Sequence, residues 1–497
     1  MNVGTESHVA HPDRIDLDQR GLLRPMWQES AKKFLRQLAS GAPAHPPGTQ
    51  LAPSPREGDR LLGHLREGIG DPLTSFLRWR REVGDVVRVR LAGTTAHLLC
   101  HPRLVRAVLQ ERHREFVKPI QGRENMARML GNGLLVSEGS FWLRQRRIAQ
   151  PAFHKRRIDG FGEHIVSAAS QLADEWALRA RREEAFDVSN DMMHLTLRVV
   201  QETLLGTTSS QNADRIGESV SYVLGEVNRR FTRVIDPPED WPTPANRRFR
   251  AAKAVLDDAV FDIIRQRRRD MDRGEDGGDL LSMLLAARDE DTGEGMDDTQ
   301  LRDEVMTIFL AGHETTANAL SWTFYLLGRH PHVARKLRQE LTTVLGDRDP
   351  TAADYGRLAY AQQVFREAMR LYPPAWIMAR APLTDVEVDG YVLPAGSRVF
   401  LSPWVTHRHP DVWPDPEGFD PDRFADPKAI DRFAFFPFGG GPRLCIGHGF
   451  AMMEGVLILA TLARRFHLEL VPGHTVTPQP LVTLRPREGV QVVARSF

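Results

Sequence analysis

The chain has 497 residues, 41% hydrophobic and 26% charged, and its 66 basic and 65 acidic side chains leave a formal net charge of +1. That length allows about three average domains or one large one, and the composition suits a globular chain with a sizeable buried core. Near-zero charge excludes a general nucleic-acid binder, and two cysteines exclude a disulfide framework and favour a reducing compartment.

The N-terminal stretch MNVGTESHVAHPDRIDLDQRG has no apolar core of the kind a secretory signal needs. No window approaches ~20 uninterrupted apolar residues, so no membrane span is expected and the protein reads as soluble and cytoplasmic. The first ~50 residues close on SGAPAHPPGTQLAPSPREG, a composition that predicts a mobile or loosely packed extension over 1–50 and a folded unit over 51–497. From about Leu61 helical patterns dominate. Cys100 sits in AHLLCHP, an apolar strand-like run, and reads as a buried structural thiol. The polar runs Asp272–Asp279 and Arg288–Asp298 read as loops between helices.

After a candidate cap at Asp298, apolar or small residues recur at Val305, Ile308, Phe309, Gly312, Thr316, Ala319 and Leu320, spacings of three and four that are helical. The pattern runs to Leu327 and stops before Pro331, predicting a helix of ~30 residues, about 45 Å long. In its middle AGHETTAN (311–318) places polar groups on an otherwise apolar face, which is costly unless they are satisfied or used. Further on, DVEVDGYVLPAGSRVFL alternates around Asp389-Gly390, a hairpin signal. LVTLRPREGVQVVARSF predicts a second strand pair at the end. The class is mainly α with a smaller β part.

The second cysteine lies in FPFGGGPRLCIGHGFAMME (436–454). Glycines 439 to 441 allow a tight turn and close approach to a flat partner. Arg443 puts a cation two residues from Cys445, and the apolar run after Gly447 places the sulfur near a helix N-terminus; both favour thiolate. Such a cysteine could be a nucleophile, a redox thiol or a metal ligand. Nearby sequence offers neither a partner base nor the further cysteines of a zinc site.

Phe438-x-x-Gly441-x-Arg443-x-Cys445-x-Gly447 resembles the haem-binding signature of the cytochrome P450 monooxygenases. Further segments resemble that family in its order: GSFWLRQRRIAQPAF with Trp142 and Arg146, AGHETT with Glu314 and Thr315, Glu367-Ala-Met-Arg370, RAPLTDVEVDGYVLPAG with Arg380, and FDPDRF with Arg423. The resemblance runs from about Leu61 to the C-terminus. It implies a single-domain cytochrome P450 fold, with haem b between the long central helix and the cysteine-loop helix and the Cys445 thiolate as axial iron ligand. It makes Trp142, Arg146, Arg380 and Arg443 the partners of the haem propionates, places Phe438, Gly439, Gly447 and Ala311 against the haem, and completes a buried structural triad of Glu367, Arg370 and Arg423.

On the oxygen side it implies that Thr315 orders protons and that Glu314 relays them from solvent; a helix-interior threonine would otherwise bond back to a carbonyl. His313 occupies a variable position and is expected to pack. The implied function is insertion of one oxygen atom from O2 into a lipophilic terpenoid, polyketide or fatty-acid-like molecule. The details around FWLRQRRIAQPAFHKRRI look closer to the fatty-acid-hydroxylating members. The pocket is expected to be lined by the segment Lys118 to Leu135, residues around 215–245, Ala311, Thr315, PPAWIM and Val482–Leu484. With ~50 residues after Cys445 and no flavin or iron–sulfur segment, electrons are expected from a ferredoxin and its NAD(P)H-dependent reductase. Arg144, Arg147, Lys155, Arg156 and Arg157 form a candidate basic docking region for that donor. The alternatives are a peroxide-using peroxygenase or isomerase, which usually lacks the acid–alcohol pair, and a non-catalytic haem-binding protein, which would not need one.

Overall fold

The computed structural model describes residues 50–497 apart from 57, 60, 205, 207–212, 233–237, 276–277 and 290. The extension expected over 1–50 lies, but for Gln50, outside the described residues. The largest sheet has the order β1 (Val86–Leu91), β2 (Thr94–Leu99), β8 (Arg398–Leu401), β5 (Met378–Pro382), β3 (Phe116–Val117). β1 and β2 turn at Ala92-Gly93, and β6 (Val386–Val388) and β7 (Tyr391–Leu393) turn at Asp389-Gly390. In both turns both residues have positive φ, 45° and 82° in the first, 56° and 79° in the second. That is the two-residue geometry whose twist matches a hairpin, so the Asp-Gly expectation holds.

The expected terminal strand pair does not form. β11 (Leu484–Pro486) pairs instead with β10 (Pro478–Pro480), while β12 (Gln491–Ser496) lies between β4 (Ala185–Asp187) and β9 (Phe466–Leu470). Burial explains the split. Leu484 packs with Trp376 and Trp404 in a sheet-side cluster, whereas Val492 and Ala494 pack into the helical core. Cys100, which follows β2, is fully buried in that sheet-side cluster, as a structural thiol would be.

The helices that frame the interior are α1 (Ile120–Leu130), α2 (Gly139–Ala149), α3 (Val188–Leu204), α4 (Ala213–Thr232), α5 (Pro244–Asp272), α6 (Asp298–Arg329), α7 (Ala359–Leu371) and α8 (His448–Arg465). α6 is the long helix, 32 residues ending before Pro331. Its cap is Asp297 rather than Asp298, because Asp297 Oδ1 accepts the Gln300 N–H at 2.8 Å. α6 packs against α3, α5, α7 and α8 and is buried on nearly every face, as a core helix must be. α7 and α8 approach closely enough that a Cβ on Gly455 would lie 2.2 Å from the Phe365 ring.

Glu367 and Arg370 of α7 are both fully buried and paired bidentately, Nε to Oε2 at 2.7 Å and Nη2 to Oε1 at 2.8 Å. Arg423 adds a third member, its Nε 3.5 Å from Glu367 Oε1. The Arg370 guanidinium also donates to the carbonyls of His407, Pro416 and Gly418. The triad pins the chain leading to the cysteine loop against α7.

Glu454 on α8 is fully buried, and neither carboxyl oxygen has a hydrogen-bond partner among the described residues. Burial raises its pKa to about 8, opposed only in part by the nearby Thr316 hydroxyl. The group is therefore neutral in the fold and ionised once unfolded, so stability falls as pH rises from the ordinary carboxyl range to about 8. Glu454→Gln should match the wild type below pH ~4, exceed it by roughly 3 kcal/mol at pH 7, and by roughly 5 kcal/mol above pH ~8. Chemical denaturation across that range tests this; parallel pH curves for the two proteins would show that Glu454 does not titrate on unfolding.

Candidate active site

The cysteine loop is closed by its own backbone. The Cys445 N–H donates to the Phe438 carbonyl at 3.0 Å, and Gly439 and Leu444 donate back to Phe436 and Gly441. Gly441 has φ 64°, and a Cβ there would lie 1.8 Å from the Leu109 carbonyl oxygen, so this position admits only glycine. Gly440 approaches Phe433 and Gly441 approaches Leu109, so these two glycines serve packing within the protein rather than approach to a partner. Gly439 (φ 73°) and Gly447 meet no protein atom closer than 3.8 Å, leaving room beside them.

Cys445 stands just ahead of α8, whose N-cap is Gly447. Burial among protein atoms raises the thiol's pKa, while the Gly447 N–H and the Arg146 guanidinium pull it back. The expectation that the surroundings alone favour thiolate is corrected: desolvation wins in the free protein, and the assisting cation is Arg146, not Arg443. Arg146 reaches the loop directly, its Nη1 donating to the Leu444 carbonyl at 2.9 Å. Arg443 turns away to the Ser137 carbonyl and the Glu138 carboxylate.

Ala311 lies in the middle of α6 between buried Leu310 and His313, yet it is exposed, and so is Cys445. Exposure at the centre of otherwise buried elements marks open space beside Ala311 on α6 and beside Cys445 in the cysteine loop. Phe438 is half-buried, its ring edge-on to His448 at 6.3 Å. Thr315 Oγ1 donates to the Ala311 carbonyl at 2.7 Å, the helix-internal bond, and keeps its oxygen lone pairs free to accept. His313 is buried against Phe309 with Nδ1 2.9 Å from the Phe309 carbonyl, packing as expected. Trp376 of PPAWIM does not line this space; it is buried in the sheet-side cluster and donates to the Leu481 carbonyl.

Around the rim cations gather. Trp142 and Arg146 share one face of α2, and the Arg443 guanidinium stacks over Trp142 at 3.6 Å. Arg380, central in β5, donates among the described residues to the neighbouring Ala379 carbonyl. Lys118 Nζ reaches the Ser137 carbonyl at 3.1 Å and lies 3.9 Å from Glu138. Burial lowers the Lys118 pKa to about 7, and Arg443, Arg380 and Arg123 add to that effect. Burial likewise takes Arg443 to about 10, with Arg380, Arg123 and Arg146 acting in the same direction. The carboxylate acting on this cluster is Glu138, which sits at the N-cap position of α2 but makes no cap bond because Arg443 and the Lys118 N–H claim it. So much half-buried positive charge gathered near Glu138 favours the binding of further anions. A flat group carrying two carboxylates, as haem is, would suit that charge and the room beside Gly439 and Gly447. Glu138 carried no motif of its own and was missed in the sequence, and Lys118 is expected there only as the edge of a pocket-lining segment, not as a member of this rim.

Glu314, expected beside Thr315 with access to solvent, is buried. Its partners are Arg485 and Thr483 at β11, and solvent is reached through Arg485, whose side chain is 30% exposed. The expected basic docking region is also smaller than anticipated. Arg147 pairs with Asp289 and Asp291, and Arg144 with Glu294 and the Gly295 carbonyl, tying α2 to the loop before α6. Lys155, Arg156 and Arg157 remain exposed. No described helix is long and apolar enough to cross a membrane.

The family model described as Cytochrome P450 matches residues 53–493. The chain is 40% identical over 432 residues to cyclooctatin synthase of Streptomyces melanosporofaciens, covering 85% of this chain and 91% of that protein. It is 38% identical over 442 residues to cyclooctat-9-en-7-ol 5-monooxygenase of the same organism, covering 88% and 93%. With pentalenene oxygenase of Streptomyces avermitilis it shares 36% identity over 429 residues, covering 85% and 93%.

Proposed function

The chain belongs to the cytochrome P450 family, monooxygenases that use haem with cysteine-thiolate ligation, O2 and redox partners, and from that premise we propose which molecule it oxidises and which residues do the work. The substrate is a lipophilic molecule of the terpenoid class. Relatives named for cyclooctat-9-en-7-ol and pentalenene favour that class over the polyketides and fatty acids that the sequence left open. The observation that carries the site is the exposure of Ala311 on the otherwise buried α6 and of Cys445 in its loop, with the half-buried cations Lys118 and Arg443 gathered at Glu138.

The cofactor is haem b. Cys445 would ligate its iron, Phe438, Gly439, Gly447 and Ala311 would border it, and Trp142, Arg146, Arg380 and Arg443, joined by Lys118, would hold its carboxylates. When bound, it supplies O2 activation, and thiolate ligation favours O–O cleavage. The protein's own part is to exclude bulk water and to place protons. The Thr315 hydroxyl, tied to the Ala311 carbonyl, would accept a hydrogen bond with its free lone pairs, and Glu314 would supply the proton behind it. Electrons come from a ferredoxin and its reductase, docking on the face that carries Lys155, Arg156 and Arg157. Residues 51–497 are the haem domain, preceded by the 1–50 extension, and the protein works in the cytoplasm.

Turnover of a cyclic terpenoid with reduced donor and O2, compared with peroxide alone, tests the reaction class. Thr315→Ala tests the proton assignment. It should leave haem content and the reduced-CO spectrum unchanged while product formed per reduced cofactor falls several-fold, the scale of the ~1–3 kcal/mol of a lost buried hydrogen bond. Hydrogen peroxide should rise to match, and peroxide-driven turnover should survive. Unaltered coupling would place the relay elsewhere.

A further inference from the structure

Three donors converge on one oxygen of Glu314. Arg485 Nε lies 2.8 Å and Nη2 2.5 Å from Oε1, and the Thr483 hydroxyl donates to the same atom. None of the described hydrogen bonds goes to Oε2. The Thr483 hydroxyl is aimed by its neighbour: Asn318 Nδ2, one turn further along α6, donates to Thr483 Oγ1 at 3.1 Å, leaving the single hydroxyl proton for Glu314. The segment bearing Thr483 is fixed at its other side, where the Val482 N–H donates to Asn228 Oδ1 of α4 at 2.6 Å. Glu314 is thus gripped from a hairpin that is more than 160 residues distant in sequence.

We propose that Arg485 and Thr483 are positioning residues for Glu314: they hold it by Oε1 and present Oε2 as the atom that carries protons toward Thr315. This rests on the reading of Glu314 as the relay acid. A carboxylate with a free choice of rotamer in a buried site would spend part of its time facing the wrong way. An arginine bound through two nitrogens to one oxygen removes that freedom while leaving the other oxygen unengaged. The same grip stabilises the carboxylate between proton transfers, because a buried acid with no cation beside it would keep its proton.

Four holoenzymes test this: Glu314→Gln, Arg485→Leu, Arg485→Lys and the double variant Glu314→Gln/Arg485→Leu. Expected for Arg485→Leu is a several-fold fall in product per reduced cofactor, with KM and the substrate-induced spin-state change unaltered, and substantial rescue in Arg485→Lys. The double variant should lose no more than Glu314→Gln alone, since both changes break one unit. Independently of turnover, a further infrared band of a protonated buried carboxyl, beyond the one Glu454 gives in every variant, should appear in Arg485→Leu and be absent from the double variant. If Glu314→Gln leaves coupling intact, the relay reading fails and takes the inference with it. If Glu314→Gln lowers coupling but Arg485→Leu does not, or if the two losses multiply, the inference alone is overturned. A raised KM with lost spin-state change in Arg485→Leu would show that the arginine merely supports the hairpin.

Discussion

Cys445→Ala abolishes the red-shifted Soret band that the reduced protein gives with carbon monoxide, the signature of thiolate ligation. The effect is complete rather than graded, because the other cysteine, Cys100, is fully buried in the sheet-side cluster and cannot reach the open space at the cysteine loop. Burial also pushes the Cys100 thiol's pKa well up, so it offers no thiolate. Burial raises the Cys445 thiol's pKa as well, but its sulfur is accessible, and the Gly447 N–H and Arg146 partly offset that rise. The alanine variant should still bind some haem through the cation rim of Arg380, Arg443 and Lys118, so haem content and the spectrum separate. Retention of the red-shifted band would show that another residue ligates the iron.

Glu367→Ala should yield little soluble, haem-loaded protein. The Glu367 carboxylate is fully enclosed, bidentate to Arg370, 3.5 Å from Arg423, and also accepts the Asp420 N–H at 3.0 Å. Burial pushes its pKa up and Arg370 holds it down, so the pair is stable only together. Removing one side of a buried pair typically costs ~3–5 kcal/mol because the partner stays charged and alone. That is a large share of a domain's net stability of roughly 5–15 kcal/mol. The loss would fall on the chain around His407–Gly418, which leads into the cysteine loop. Denaturation midpoints and haem yield measure it; normal yield with selectively lost turnover would instead make the residue part of the reaction.

The charged side chains illustrate how far a sequence can be read. Glu367 and Arg370 lie three apart on one helix, so their pairing follows from helical geometry alone. Trp142 and Arg146, four apart, share a face for the same reason. Arg144 and Arg147 belong to the same helix and are expected from sequence in a basic docking region, but their partners, Glu294, Asp289 and Asp291, come from a loop that local pattern cannot connect to α2. Lys118 and Glu138 join the rim by a fold-level coincidence of β3, α2 and the cysteine loop, and no spacing encodes it.

The sequence by itself determined the helical class, the length and end of α6, the Asp-Gly hairpin, the cysteine loop and the family, because each rests on local period, turn chemistry or a short motif. Only the tertiary structure decided which cation assists Cys445, which strands take up the last two segments, and that Arg485 and Thr483 hold Glu314. The physical reason is the same in each case. Helices and turns are set by residues within a few positions of one another, whereas an ion pair or a strand partner is chosen by whichever distant group the packed core leaves within reach. Arg146 reaches Leu444 across 298 positions and Arg485 reaches Glu314 across 171, contacts made only after the apolar faces of α2, α6 and β11 have found their places.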